Sequence, residues 1–368
     1  MKIKRISIYQ VDLPMKEGAY SWSNQSYSAF DSTVVIVETD EGISGAGETC
    51  PLGPAYLPAY AGGARAGIAQ LAPDLIGENP LELGSINDRM NSLLKGHPYV
   101  KSAVDMACWD ILGKATGQPV YLLLGGMRQN RVKLFKVVSR QQPDAMAAKL
   151  CDYQNQGFTQ FQMKVGEDAD VDIERIFKVS EQLNRGNVLN ADANTGWRQH
   201  DAIRVVRAIR DVDLYLEQPC LTYEQCLAVR KHCDHPMILD ECMDSMEILI
   251  RGWQDSAMDA INLKINRVGG MWNACQFRDM CLNLGIIMTV EDSWGGEIAT
   301  AAIAHLAHTV PKEFHFQSSA FHEYTHLEIA QGAPLMEDGF MRASNRPGLG
   351  VEPNLDVLGE PVYVVGGR

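Results

Sequence analysis

Three short stretches decide the fold: residues 189–194 read LNADAN, residues 215–219 read YLEQP and residues 238–241 read ILDE. Each begins with residues typical of a buried strand and then reaches an acidic side chain, Asp192, Glu217 or Asp240. Runs of this kind recur with helix-length segments between them, at 132–137, 158–164, 187–192, 214–218, 237–241, 260–265, 286–292 and 313–317. This alternation predicts an α/β fold in which eight parallel strands form a barrel.

Charged residues lie at or near the carboxyl ends of six of these runs: Lys164, Asp192, Glu217, Asp240, Lys264 and Asp292. Successive members are 23 to 28 residues apart, which is close to the length of one βα unit in a barrel of about 250 residues. An acidic residue after a strand is often only a helix N-cap. Because the carboxyl ends of barrel strands form one rim, six such residues together favour a common site.

The three acids predict a magnesium site. Asp192, Glu217 and Asp240 come from consecutive strands and supply only hard oxygen ligands, which suit Mg²⁺ better than Zn²⁺. Asn194 would face the same way as Asp192 if the chain stays extended, and Glu241 should point elsewhere, where it could reach a lysine. The histidines show no HxH strand of the kind that holds zinc in hydrolytic barrels.

The two lysines predict proton-transfer chemistry. Lys164 and Lys264 end the second and sixth strands, which lie opposite each other in an eight-stranded ring. A cation that binds a substrate carboxylate stabilises the enediolate formed when the neighbouring carbon loses its proton. We expect burial and nearby positive charge to lower the pKa of both lysines so that they can act as bases.

Composition restricts the partners and the compartment. A formal charge of -13 argues against nucleic acid, since phosphate backbones are bound mainly by Lys and Arg. Nine cysteines without CxxC spacing favour reduced thiols in a cytoplasmic protein. The first residues lack a signal-peptide core, and no run of 18 apolar residues predicts a membrane span. With nucleic acid and membrane disfavoured, the predicted proton-transfer site makes a small-molecule carboxylate the expected partner.

The N-terminal part reads differently. Residues 3–12 alternate, residues 33–47 read as a hairpin, and residues 100–112 have helical spacing that ends near Gly113 and Gly117. With 368 residues, two domains are expected.

The chain resembles the mandelate racemase and muconate lactonizing enzyme group of the enolase superfamily. The resemblance rests on ETCPLGPAY, VDMACWDILGKATGQPVYLLLGG, MKVG, ADAN, EQP, LDE, LKINRVGG and RPGLGV. It implies an α+β capping domain (1–126), a (β/α)7β modified TIM barrel (127–320) and a C-terminal segment (321–368) that returns to the capping domain. It also implies one Mg²⁺ per subunit, held by Asp192, Glu217 and Asp240 with Asn194, Glu241 and Asp292 around them, and a homo-oligomer.

Two motifs differ from the family's usual pattern and indicate which branch of the family the chain resembles. The usual KxK of the second strand reads Gln162-Met163-Lys164, and the seventh strand ends in DSWGG rather than in histidine. This looks like the muconate lactonizing branch with paired lysines and disfavours a His-Asp pair. Relatives of this kind include hydroxyproline betaine epimerases and cis-3-hydroxyproline dehydratases. Aromatic walls around a quaternary ammonium are then expected from Tyr56, Trp22, Trp294 and Phe316.

Three functions follow from these expectations. The first is a racemase or epimerase of a cyclic amino acid or its betaine, such as proline betaine, in which one lysine removes the α-proton and the other returns it on the opposite face. The second is a dehydratase of a hydroxylated cyclic amino acid that uses the same enediolate. The third is a barrel that binds a carboxylate without turning it over. Capping loops near 18–30 and 50–60 are expected to choose the substrate.

Overall fold

A computed structural model describes residues 1–16, 18–23 and 25–367. The N-terminal part contains five strands and three helices: β1 (Ile3–Pro14), β2 (Tyr20–Trp22), β3 (Gln25–Tyr27), β4 (Ala29–Thr39), β5 (Ser44–Thr49), α1 (Ala61–Leu75), α2 (Leu83–Leu93) and α3 (Pro98–Thr116). β1, β4 and β5 form an antiparallel sheet, and β4–β5 is the hairpin expected from the sequence. β2 and β3 form a separate short hairpin.

Helix α3 packs unusually close to β5. A side chain on Gly47 would place its Cβ 1.8 Å from the carbonyl oxygen of Ala103, and one on Gly45 would lie 2.2 Å from that of Ala107. The predicted helix is therefore confirmed, but it is buried around most of its circumference rather than on one face. It ends at Gly117, whose left-handed backbone caps it, whereas Gly113 lies inside it.

The barrel follows a short connection, α4 (Val120–Leu123) and β6 (Val132–Lys133). Its strands are β7 (Lys136–Val138), β8 (Gln160–Lys164), β9 (Val188–Asp192), β10 (Tyr215–Glu217), β11 (Met237–Leu239), β12 (Ala260–Lys264), β13 (Ile287–Glu291) and β14 (His315–Ser318). The helices between them are α5 (Pro143–Asn155), α6 (Ala169–Ser180), α7 (Gln199–Ala208), α8 (Tyr223–Arg230), α9 (Met246–Gln254), α10 (Met271–Leu284) and α11 (Glu297–His308).

These strands are parallel and pair in chain order from β7 to β14. A parallel bridge between Leu134 and Ser318 joins the last strand to the start of the first. The predicted (β/α)7β barrel is thus confirmed. One predicted strand is wrong in detail, because residues 132–137 form two pieces, of which β6 leaves the barrel and pairs with a C-terminal strand.

The C-terminal segment returns to the capping sheet. It contains a 3-10 turn (Phe321–Tyr324), then β15 (Ala330–Gln331), β16 (Leu335–Glu337), β17 (Phe340–Arg342), β18 (Glu352–Pro353), α12 (Leu355–Leu358) and β19 (Tyr363–Gly366). β19 pairs with β1, so the last strand completes the N-terminal sheet as expected.

A buried carboxylate attaches the capping domain to the barrel. Glu48, at the end of β5, accepts hydrogen bonds from the backbone N–H groups of Gly296 (2.8 Å) and Ala299 (2.9 Å) at the start of α11, and from Ser32 Oγ (2.7 Å). The two backbone N–H groups are among the unpaired donors of a helix N-terminus. They hold the loop after β13 beneath the capping domain.

None of the helices in the described parts of the chain is long and apolar enough to span a membrane. All nine cysteines are free thiols.

The buried histidines of α11 predict acid sensitivity. His305 accepts from the N–H of Tyr121 and donates to the carbonyl oxygen of Leu349, so it must be neutral, and burial lowers its pKa from 6.5 to about 4. The unfolded chain takes up this proton below about pH 6.5 and the folded chain only near pH 4. Its stabilising contribution is therefore complete above pH 6.5 and is lost as the pH falls towards 4.

We expect His305→Gln to be less stable than the wild type at pH 7, with a difference in unfolding free energy that shrinks by about 3 kcal/mol between pH 7 and pH 4. Urea unfolding at both values measures it. His200→Gln is the control, because His200 is exposed. A pH-independent difference would contradict the assignment.

Candidate active site

The two predicted lysines face one cavity. Lys164 is the last residue of β8 and Lys264 the last of β12, four strands further around the barrel. Their side chains are almost completely buried, and both line a cavity of about 20 Å³ at the carboxyl ends of the strands. Trp22 and Leu52 of the capping loops also line it. The geometry thus places an amine on each side of one small cavity.

Each lysine is paired with a carboxylate. Lys164 Nζ lies 2.6 Å from Asp192 Oδ2, and Lys264 Nζ lies 2.9 Å from Asp240 Oδ2. Burial lowers the pKa of both lysines, but these carboxylates outweigh burial and raise the pKa of each above its ordinary value. The expected lowering refers to lysines beside Mg²⁺; with only the chain's own charges as neighbours, which are mainly negative, the direction is the opposite.

The three predicted metal ligands are adjacent along the rim, but each carboxylate accepts hydrogen bonds from a different set of side chains. Asp192 and Glu217 are direct cross-strand partners, and Asp240 follows the next strand. Glu217 accepts from Gln162 Nε2 (3.0 Å) as well as from two asparagine side chains, Asn190 and Asn262 (2.6 Å for the latter). Among the described residues, no three Asp, Glu, His or Cys side chains are arranged as a ready metal-binding group.

The charges of the site nevertheless fit a divalent cation. Six buried carboxyl groups lie at or just beyond the carboxyl ends of the strands, and the first, fifth and sixth of them line the cavity: Asp192, Glu217, Asp240, Glu241, Glu291 and Asp292. Three buried cations, Lys164, Lys264 and Arg267, oppose them. Burial, followed by repulsion from Asp192 and Asp240, raises the pKa of Glu217 well above its usual range. A hard cation held by oxygen ligands would relieve this repulsion.

The residues expected around the ligands have defined roles in hydrogen bonding. The backbone N–H of Asn194 donates to Asp192 Oδ1 (2.8 Å), and its side-chain amide donates to Glu241 Oε1 (3.0 Å). Asn194 has a positive φ of 42°, so the predicted extended continuation after Asp192 is wrong and a turn brings the amide back. Glu241 accordingly pairs with an amide rather than with a lysine, and burial raises its pKa to about 8.

Asp292 lines the cavity but is held by the backbone. It accepts from the N–H groups of Asn266 (3.0 Å) and Ser293 (2.7 Å), so it joins the loops that follow β12 and β13. Its neighbour Glu291 is the cross-strand partner of Lys264, and its carboxylate lies 3.5 Å from Lys264 Nζ.

The predicted aromatic walls divide into two pairs. Tyr56 and Trp22 line the cavity, with ring centroids 6.3 Å apart. Trp294 is fully buried behind it, against Phe30 at 4.4 Å. The placement of Phe316 in the pocket is wrong, because its ring packs on Tyr215 at the amino ends of the strands.

Sequence reasoning missed Arg267, Glu291 and the amide of Gln162. Gln162 was interpreted only as a missing lysine, but it lies two residues before Lys164 on the same strand and therefore faces inward as well. The same alternation could have identified Asn190 and Asn262, each two residues before a predicted site residue. Arg267 lies in a loop, where no periodic pattern indicates direction.

Comparisons with known proteins agree with this geometry. Residues 6–125 match the family model of the mandelate racemase / muconate lactonizing enzyme N-terminal domain, and residues 145–357 match that of the enolase C-terminal domain-like family. The chain therefore belongs to the mandelate racemase and muconate lactonizing enzyme group of the enolase superfamily. Racemases, epimerases and a dehydratase are among its relatives, and it is an enzyme of this kind.

Among individual relatives, cis-3-hydroxy-L-proline dehydratase from Roseibium aggregatum is 53% identical over 98% of this chain and 99% of its own. N-succinyl-L-Arg/Lys racemase from Bacillus cereus is 29% identical over 98% of both chains. A mandelate racemase/muconate lactonizing enzyme-type structure from Roseovarius nubinhibens, complexed with magnesium, has a TM-score of 0.96 and 34% identity and covers 100% of both chains.

Proposed function

We propose that this enzyme is a Mg²⁺-dependent dehydratase of cis-3-hydroxy-L-proline or a closely similar 3-hydroxylated cyclic amino acid. The observation that carries the proposal is the pair of buried lysines on opposite sides of one cavity. The 53% identity to a dehydratase of this substrate favours dehydration over the epimerase that was the first expectation from the sequence.

The stereochemistry of such a substrate matches the two lysines. In a cis-3-hydroxy amino acid the hydroxyl lies on the same ring face as the carboxylate, so the α-proton lies on the opposite face. Elimination then needs a base on one face and an acid on the other. Lys164 and Lys264 provide one amine for each face. One nitrogen takes the proton from the α-carbon, and the other gives a proton to the departing hydroxyl oxygen, which leaves as water.

The chain's carboxylates complete the site. Asp192, Glu217 and Asp240 would hold Mg²⁺, which supplies positive charge to the substrate carboxylate where negative charge develops. Glu291 and Asp292 are the acidic groups of the cavity wall near Lys264, where they can pair with the ring ammonium of the substrate. Trp22 and Leu52 exclude water from the reacting atoms.

Incubation of the enzyme with Mg²⁺ and cis-3-hydroxy-L-proline tests the proposal. We expect an enamine product that lacks the hydroxyl and rearranges to the cyclic imine, which borohydride reduces to proline. Chelation of the metal should stop the reaction, and added Mg²⁺ should restore it. Full recovery of unchanged substrate with Mg²⁺ present would reject this substrate.

Epimerization remains a second candidate, because opposed lysines serve it equally well and a racemase is among the relatives. Proline betaine in D₂O distinguishes the two: an epimerase incorporates deuterium at the α-carbon and yields both isomers. A barrel that only binds a carboxylate would exchange no α-proton in any candidate substrate.

A further inference from the structure

The hydroxyl of Tyr56 connects the capping domain to two functional residues of the barrel. It lies 3.1 Å from Asp240 Oδ2, 3.0 Å from Lys264 Nζ and 3.0 Å from Arg267 Nη2. A phenol has one donor and two acceptor lone pairs. It therefore donates to Asp240 and accepts from Lys264 and Arg267, which uses its whole capacity.

Arg267 continues this connection into the barrel. Its guanidinium is buried, with Nη1 2.6 Å from Asp240 Oδ1 and also in contact with the carbonyl oxygen of Asp240. Its other terminal nitrogen donates to Tyr56. The rigid fork of an arginine fixes two partners at once, which the single ammonium of a lysine cannot reproduce.

We propose that Tyr56 and Arg267 are positioning residues through which the capping segment 50–60 sets the geometry of Asp240 and Lys264. The inference rests on the proposed function in taking Asp240 as a metal ligand and Lys264 as a proton-transfer group. Asp240 is held on one oxygen by Arg267 and on the other by Tyr56 and Lys264. Without the hydroxyl of Tyr56, Asp240 Oδ2 keeps only Lys264 and Lys264 Nζ loses one of its partners, so both groups are held less firmly.

This role differs from that of an aromatic wall. A wall needs only the ring, so Tyr56→Phe would preserve it, and a loss would appear mainly in KM. A positioning role needs the hydroxyl, so the loss appears in kcat and in the affinity for the metal.

The experiment compares Tyr56→Phe, Arg267→Lys and the double variant with the wild type. Tyr60→Phe is the matched control, because Tyr60 lies in the same segment but is exposed. We expect kcat of each single variant to fall about 10- to 100-fold, with KM within about 2-fold. Calorimetry on the enzyme without substrate should show Mg²⁺ binding about 10-fold weaker in both. Because the two residues share one connection, the double variant should fall less than the product of the single effects.

Three results would overturn the inference. The single variants could change KM but not kcat, the fall in kcat of the double variant could equal the product of the single effects, or the variants could bind Mg²⁺ as tightly as the wild type does. The calorimetric measurement keeps it separate from the substrate assignment. If cis-3-hydroxy-L-proline is not dehydrated, the proposed function fails, while the Mg²⁺ affinities of the variants still decide the positioning role. A wild type that binds no Mg²⁺ overturns both.

Discussion

Replacing Lys164 or Lys264 with methionine is expected to lower the rate of dehydration about 10³-fold or more. A positioned acid or base contributes about 10²- to 10⁴-fold, and neither face of the cavity offers a second amine among the described residues that line it. The measurement is imine formation from cis-3-hydroxy-L-proline under saturating Mg²⁺.

The two variants should differ in α-proton exchange. The variant that lacks the base cannot form the enediolate, so it incorporates no deuterium from D₂O. The variant that lacks the acid still forms and reprotonates it, so exchange continues without loss of the hydroxyl. Two outcomes would contradict the assignment of one lysine as base and the other as acid. Either both variants would still exchange the α-proton, or each variant would lose exchange of a different stereoisomer. The second outcome would favour epimerization.

Lys101→Met is the control for removal of a buried lysine, since Lys101 bonds Asn91 away from the cavity. It should retain dehydration. Circular dichroism and thermal melting of all three variants establish that they are folded.

Removal of any predicted ligand is expected to abolish metal-dependent stabilisation. Mg²⁺ should raise the melting temperature of the wild type, because a ligand that binds only the folded state stabilises it. Asp192→Asn, Glu217→Gln and Asp240→Asn should lose this response. Loss of a residue that hydrogen-bonds to a metal ligand typically weakens metal binding about 10- to 100-fold. Loss of a ligand itself should weaken Mg²⁺ binding by more than this.

Asp292→Asn is the comparison for these variants. Asp292 lines the same cavity, but its oxygens are held by backbone N–H groups. It should therefore retain the Mg²⁺-dependent rise in melting temperature. A ligand variant that responds to Mg²⁺ as the wild type does would remove that residue from the metal site.

The rim residues were predictable because strand period and βα spacing are both encoded locally. Lys164, Asp192 and Lys264 each end a strand in the structure, as the pattern predicted. Phe316 was misplaced because it is the second residue of the four-residue strand β14 and lies near its amino end, whereas Ser318 ends that strand at the rim.

Loop geometry explains the remaining differences. The turn at Asn194 depends on a positive φ, which the sequence does not specify. Arg267 reaches Tyr56 across 211 residues of chain, and such a contact between two domains has no local signal. The sequence therefore predicted the residues whose positions follow from strand and βα periodicity. It missed the residues whose positions depend on loop conformation and on hydrogen bonds between distant parts of the chain.

Comparison of cis- and trans-3-hydroxy-L-proline tests the central claim most directly. In the trans isomer the hydroxyl and the α-proton share one ring face, so amines on opposite faces cannot both act in elimination. The account predicts that the cis isomer is dehydrated at least about 10²-fold faster. Equal or faster dehydration of the trans isomer would contradict a reaction divided between Lys164 and Lys264.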